Sequence, residues 1–224
     1  MKLAAKLMTL FLLAWLLALP LSTVVLGTAQ AAQQGPAAPR SVVVPRAAER
    51  HQLTLRREAR RVWGLEAPIA TFAAQVHQES RWREDARSPV GALGIAQFMP
   101  ATARWIGGID AGLVERAPLN PTWGLRALVV YDHWLHERIR IAADDCERMA
   151  FTLAAYNGGL GWVYRRQQQA RSAGTDPARC LGATCALNPG ISPASQRENE
   201  HYPRAILLEI QPAYSRWGPG RCIA

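Results

Sequence analysis

Apolar residues at Ile69, Phe72, Ala73 and Val76 recur with the 3.6-residue period of an α-helix, and the next positions on that face are Glu79 and Ser80. A carboxylate on an apolar face is uncommon unless it is paired or functional, because burial disfavours its charged form. Pro68 suits the first turn of this helix. The same patterning predicts others. Arg and Glu interspersed with Leu53, Leu55 and Ala59 mark a helix from Arg46 to about Val62, and Pro100 opens one that Gly107-Gly108 closes after Ile106. Asn120-Pro121 starts a core helix whose broad apolar face is Leu125, Leu128, Val129, Tyr131, Trp134, Leu135 and Ile139. Residues 145–156, with Met149, Leu153, Ala154 and Tyr156, form a further helix stopped by Asn157-Gly158-Gly159. A shorter helix follows from Leu160 to Gln169, and the last spans 198–210 with Tyr202, Ile206, Leu207 and Ile210 on one side. Segment 88–100 reads as turns around Gly91 and Gly94, and 172–197, rich in Pro, Gly, Ser and Cys, reads as a loop. No internal repeat and no alternating pattern long enough for a strand is present, so the fold is expected to be mainly α.

The first residues differ in kind. Lys2 and Lys6 precede an apolar stretch from Leu7 to about Leu26, and Ala29 and Ala31 make an A-x-A site. Residues 1–31 therefore read as a secretory signal cut after Ala31. An uncleaved membrane anchor is the alternative, since the apolar stretch is near the length of a span; Pro20 and the A-x-A site disfavour it. Residues 32–45 read as a flexible leader and 46–224 as one domain, long enough to bury roughly 70% of its potential surface. The expected location is periplasmic or secreted, with no stable transmembrane segment after cleavage and a monomeric state.

Charge and cysteines sharpen that picture. The chain has 26 Lys+Arg against 17 Asp+Glu, a formal net charge of +9, and both lysines lie in the signal segment, so +7 remains beyond it. Such a charge suits an anionic polymer; export and the lack of a binding motif turn the expectation to cell-envelope material and away from nucleic acid. Cys146, Cys180, Cys185 and Cys222 are an even set in the exported portion and suggest two disulfides. Of the three connectivities, a short Cys180–Cys185 loop with a Cys146–Cys222 tie is preferred. The spacing is poor for zinc, and neither a metal nor a cofactor is expected.

The string Glu79-Ser80, then Ser88-Pro89-x-Gly91-Ala92-x-Gly94-Ile95-x-Gln97-x-Met99-Pro100-x-Thr102-Ala103, resembles the signature of soluble lytic murein transglycosylases. Ala154-Ala155-Tyr156-Asn157-Gly158-Gly159 and Glu198-x-x-x-Tyr202 extend the resemblance to roughly residues 65–210; Asn199 departs from it where the family often has Thr. The resemblance implies a lysozyme-like helical domain with a glycan groove. It implies cleavage of the β-1,4 bond between N-acetylmuramic acid and N-acetylglucosamine in peptidoglycan, leaving 1,6-anhydromuramoyl ends. Service to a cell-envelope secretion machinery is compatible with it.

On that resemblance one acid is enough. Glycosidases ordinarily use two carboxylates, whereas here the substrate's N-acetyl group would support the anomeric centre and its C6 hydroxyl would attack. Glu79 would protonate the glycosidic oxygen and later accept the C6 hydroxyl proton. Raising a Glu pKa from about 4.3 to about 6 takes roughly 2 kcal/mol, within reach of an apolar pocket. Gln97, a two-sided amide that donates and accepts, would hold an N-acetyl or hydroxyl group, Met99 would press a sugar face, and Tyr156 would steady the carboxylate or the sugar; without the resemblance these read as a surface or loop amide, core filler and packing. Asn157 reads as a helix end that could reach the glycan, and Ser80 as a hydroxyl that orients backbone, with no His/Asp pattern to make it a nucleophile. Glu198 is expected to brace the groove wall or the last helix, with Tyr202 on the same face four residues on. Trp82 reads as packing, His77 as a surface or packing histidine, and Glu200 as solvated. Two competing readings stay open: a hydrolytic muramidase with Asp85, Asp110 or Glu198 as second acid, and a peptidoglycan-binding assembly protein without turnover.

Overall fold

The computed structural model describes residues 42–222; the expected signal segment and residues 32–41 of the expected leader lie outside them. Eight α-helices carry the described chain: α1 (Arg46–Glu49), α2 (Gln52–Trp63), α3 (Ile69–Ser80), α4 (Pro100–Ile106), α5 (Pro121–His136), α6 (Asp145–Gly158), α7 (Leu160–Ser172) and α8 (Pro193–Arg204). No strand is formed among the described residues; extended pairing is limited to isolated bridges, Arg87 with Leu93 and Leu93 with Phe98.

α3 is the central helix. Every residue from Ile69 to Val76 is buried, so it is enclosed on all sides over its first two turns rather than on the single apolar face its periodicity suggests. Small residues at Ala70, Ala73 and Ala74 let its neighbours approach. Behind it α2 packs on α5 and α5 on α6, while α6 also meets α7 and α8. The far side of α3 is covered by the end of the chain, where α8 runs on as a π-helical turn, Ala205–Ile210, and a 3₁₀ segment, Gln211–Trp217. Tyr214 from that segment is fully buried and accepts the Trp82 indole N–H at 2.7 Å, and its hydroxyl also meets His77 Nδ1 at 2.9 Å. Trp82 therefore packs, as expected, and of the two readings of His77 the structure shows the packing one.

Helix ends follow the sequence signals where a side chain or glycine can act. Asn120 caps α5 by accepting from the backbone N–H groups of Thr122 and Trp123, and Asp144 caps α6 through Glu147 N–H. α4 has the expected bounds. Four bounds differ. A turn at Arg50-His51 divides the expected first helix into α1 and α2. α6 continues through Gly158, and the reversal comes at Gly159 with φ 101°. α7 runs on to Ser172. The last helix begins at Pro193 rather than 198, because the Ser192 side chain accepts from Ser195 N–H ahead of a proline in the first turn.

Both preferred disulfides form, Cys146–Cys222 and Cys180–Cys185. The short loop is held further by the buried Glu147 carboxylate, which accepts from Cys180 N–H at 2.7 Å and Leu181 N–H at 3.1 Å.

Candidate active site

A cleft of about 380 Å³ opens over the C-terminal end of α3. Gln78 and Glu79 enter it from α3, the 88–99 loop supplies one wall, Tyr131 and Tyr156 come from α5 and α6, and Glu198, His201 and Tyr202 from α8. Its aromatic side is continuous: Tyr131 and Tyr156 have ring centroids 5.3 Å apart, and Phe98 meets Tyr156 edge-on at 5.9 Å.

Glu79 reaches the cleft because α3 ends at once behind it. Arg81 (φ 52°) and Trp82 (φ 65°) both adopt the left-handed conformation, unusual for a residue as large as Trp, and the buried Trp82 ring fixes it. Ser80, also buried, donates to the carbonyl of Ile95 at 2.7 Å and so ties the helix end to the loop. Ser80 is not among the residues lining the cleft.

The loop is held by its own turns. Ser88 Oγ accepts from Ala92 N–H, and Gly94, at φ 75°, presses so closely on the next segment that a Cβ there would lie 1.7 Å from the Pro118 carbonyl oxygen. Gln97, itself at φ 48°, gives both hydrogens of its amide to backbone carbonyls, Ala86 at 3.2 Å and Gly94 at 2.8 Å. This corrects the expectation of a two-sided amide for substrate: the donor half is committed to the loop, and the carbonyl oxygen is the part left to face the cleft. Met99 is exposed at the cleft wall, not core filler.

Tyr202, rather than Tyr156, makes the hydrogen bond to the Glu79 carboxyl. Tyr156 lines the cleft, but its hydroxyl donates to the Ala96 carbonyl at 2.7 Å and so holds the loop. Tyr202 donates to Glu79 Oε1 from across the cleft. Glu198, one turn before Tyr202, is exposed and accepts from Asn157 Nδ2 at 3.2 Å, while Asn157 Oδ1 accepts from the buried Asn199. Asn157 and Glu198 therefore join α6 to α8 at the cleft edge. Asn199, the departure from the family pattern, is a further strut, donating to the Ala154 carbonyl at 2.8 Å.

These surroundings raise the Glu79 pKa to about 8. Removal from water is the main cause, the hydrogen bond from Tyr202 opposes it, and the negative charge of Glu198 adds to it. The upward shift exceeds the expected one, with burial as its largest cause. Burial, and then the Glu79 charge, hold the Tyr156 and Tyr202 hydroxyls well above their usual range, so both remain donors. Of the other acids considered, Asp110 is tied to Arg61 at 3.1 Å and Arg126 at 2.5 Å, and Asp85 faces a separate surface hollow.

Ser88, Thr102 and Tyr131 line the cleft without having been singled out as site residues. The first two stand inside the motif string, which was signal enough. Tyr131 lies in an apolar run that reads as core, and nothing local separates it. His201 also lines the cleft, and no pattern in the chain marks it.

The family profile described as the Transglycosylase SLT domain matches residues 57–178. The membrane-bound lytic murein transglycosylase F of Pasteurella multocida is 35% identical over 110 residues, 49% of this chain and 21% of that protein. Its counterpart in Vibrio cholerae is 33% identical over 105 residues, 47% of this chain and 18% of that one. This chain thus spans about a fifth of the length of these relatives. Among solved structures, the 70 kDa soluble lytic transglycosylase of Escherichia coli superposes with a TM-score of 0.52 at 24% identity, covering 73% of this chain and 24% of that one. An inactive mutant of the lytic transglycosylase Slt from Pseudomonas aeruginosa gives 0.52 at 24% identity over 78% of this chain and 25% of that one. These two likenesses bear on the fold, the lysozyme-like helical one. Because the profile match takes in more than half of the residues, including α3, the cleft loop and the 154–159 motif, the chain belongs to the transglycosylase SLT domain family.

Proposed function

We propose that this chain is a peptidoglycan lytic transglycosylase in which Glu79 is first general acid and then general base. The observation that carries this reading is the Glu79 carboxyl, set into the cleft and oriented by Tyr202, with burial raising its pKa to about 8. At neutral pH it is protonated and can donate to the glycosidic oxygen between N-acetylmuramic acid and N-acetylglucosamine. As that C–O bond breaks, the muramic N-acetyl oxygen bonds to the anomeric carbon and the proton passes to the departing oxygen. The C6 hydroxyl then displaces the acetyl oxygen, returns its proton to the Glu79 carboxylate, and closes the 1,6-anhydro ring. No water is consumed, so no second carboxylate has to activate one. Tyr202 favours the carboxylate between the two transfers, because it donates to the charged form.

The remaining residues hold substrate and cleft. Met99, Tyr131 and Tyr156 offer apolar faces to sugar rings, the Gln97 carbonyl accepts from an N-acetyl N–H or a hydroxyl, and Asn157 with Glu198 borders the glycan. A leader that exports the domain to the periplasm or beyond, action as a monomer, and service to a cell-envelope secretion machinery belong to the same reading. The helices of the described residues include none long and apolar enough to cross a membrane.

Glu198 supports a second reading, hydrolysis, because it is the other carboxylate lining the cleft. Mass analysis of purified peptidoglycan after digestion separates the two. Anhydromuramoyl products are expected, and reducing muramic ends would sink the transglycosylase reading in favour of a muramidase. If no product forms on murein from several sources, the binding-protein reading replaces both.

A further inference from the structure

Beneath the cleft, α3 and α5 bring together two polar side chains that the proposed reaction does not use. Asp132 is fully buried on α5, and Gln75 is fully buried on α3, one turn before Glu79. Gln75 Nε2 donates to Asp132 Oδ1 at 3.4 Å. The other half of each group is orphaned: Gln75 Oε1 and Asp132 Oδ2 are both buried without a hydrogen-bond partner. An amide carbonyl and a carboxylate oxygen are both acceptors, so an ionised Asp132 leaves the two unsatisfied side by side. A proton on Oδ2 supplies the missing donor. Carboxylic acid and primary amide then match, each giving one hydrogen bond and accepting one, and a small rotation of the amide closes the pair.

We propose that Asp132 is a neutral carboxylic acid joined to Gln75 by two hydrogen bonds, and that the pair positions Glu79 by anchoring the preceding helical turn while placing no charge behind it. The groups around Asp132 agree. Glu79 approaches from α3, Tyr156 from α6 and Tyr202 from α8, Tyr131 is its neighbour on α5, and α2 meets α5 through Trp63, whose indole donates to the Val129 carbonyl. None of these is a cation, and no ion pair reaches Asp132 among the described residues. Burial, and then the Glu79 charge, push its carboxyl well above the ordinary range. The consequence for the cleft is directional. Glu79 must be able to carry a negative charge between its two proton transfers, and a fixed carboxylate at Asp132 would oppose that state.

The positioning role rests on reading Glu79 as the acid, so the test has two parts. Infrared difference spectra between Glu79→Gln and Glu79→Gln/Asp132→Asn at neutral pH report protonation without reference to activity. Loss of a protonated-carboxyl C=O band in the double variant is expected; loss of a carboxylate band instead overturns the proposal. Positioning is read from kinetics on peptidoglycan. Asp132→Leu, which cannot pair with Gln75, is expected to lower kcat by about tenfold or more with KM within about twofold, as misplacement of a reacting group does. Asp132→Asn, which donates and accepts as the neutral acid does, is expected to rescue most of that loss and to keep the pH midpoint assigned to Glu79. A midpoint lowered by about one pH unit or more in Asp132→Asn would mean that a negative charge had been removed, and equal losses in Asn and Leu would mean that the pair does not position Glu79; either overturns it. If Asp132→Leu does not fold, the midpoint in Asp132→Asn and the infrared band decide. Should Glu79→Gln keep full lytic activity, the reading of Glu79 falls and the positioning role with it, while the infrared band still decides the state of Asp132.

Discussion

Tyr202 donates its hydroxyl to the Glu79 carboxyl from 123 residues further along the chain. The bond crosses the cleft from α8 to α3, so the acid is oriented by an element that folds against the opposite wall. Because Tyr202 donates to the charged form, it lowers the Glu79 pKa against the larger upward effect of burial. Tyr202→Phe removes the donor and keeps the buried ring. The expected outcome is a kcat lower by about tenfold, from lost orientation and lost support of the carboxylate, within the range of positioned proton transfer. The alkaline limb of the pH–rate profile should move to higher pH. Steady-state turnover of soluble glycan across pH checks both, and an unmoved limb would count against the bond.

The state of Glu79 also couples activity and stability to pH. Its folded pKa, about 8, lies above the ordinary 4.5, so the folded state holds a proton that the unfolded chain releases between those values. The stability contributed by this group is full below the unfolded pKa and is lost steadily as pH rises toward 8. The same proton is needed for the first step, so kcat/KM should fall above about pH 8. Glu79→Gln is expected to abolish lysis and to raise stability at pH 7 by on the order of 2 kcal/mol, less than the full linkage value because the group is partly exposed to the cleft. Urea titrations of both proteins at acidic, neutral and alkaline pH check this: the difference should vanish at acidic pH and grow toward 8.

What could be read from the chain was what is local. Proline, asparagine and glycine placed α4 and the start of α5 because caps act within a few residues, and the motif string marked Glu79, Met99 and the cleft loop. Partner choice was not legible. Whether Tyr156 or Tyr202 meets Glu79 depends on how α6 and α8 stand across the cleft, and no spacing along the chain encodes that. Gln97 was misread for a related reason: its left-handed backbone turns the amide back onto its own loop, and a glutamine at a positive φ gives no sign of itself in sequence. Asp132 was passed over because an acid in a core helix looks like a solvated position until its full burial is seen.

Gly158 shows how closely α6 and α8 are set. A Cβ there would lie 2.5 Å from Asn199 Nδ2 and 2.9 Å from its Cγ, displacing the amide that bonds the Ala154 carbonyl and Asn157 Oδ1. Gly158→Ala should destabilise by about 1–3 kcal/mol despite its better helix propensity, since overpacking and two lost hydrogen bonds outweigh it. Release of Asn157 should also loosen Glu198 at the cleft edge and raise KM more than it lowers kcat. Thermal unfolding alongside kinetics checks the pairing; a more stable Gly158→Ala would show that Asn199 can move aside freely.

The two disulfides should differ in worth because they close loops of different size. Cys180–Cys185 spans 5 residues and Cys146–Cys222 spans 76. The loop-entropy relation gives about 2 kcal/mol for the first and about 4 for the second. The longer tie holds more than entropy: beside it Arg221 pairs with Asp145 at 2.6 Å, and the Arg221 N–H is accepted by Thr71 and Gln211, which fastens the chain end over the start of α3. Cys146→Ala/Cys222→Ala is therefore expected to lower the denaturant midpoint more than Cys180→Ala/Cys185→Ala, by about twofold in free energy. The short loop retains its two hydrogen bonds to Glu147, so its removal should leave lytic activity near that of the parent at moderate temperature. Chemical denaturation of both double variants checks the order, and a larger loss from the short loop would mean that native contacts around Glu147, rather than chain entropy, set its contribution.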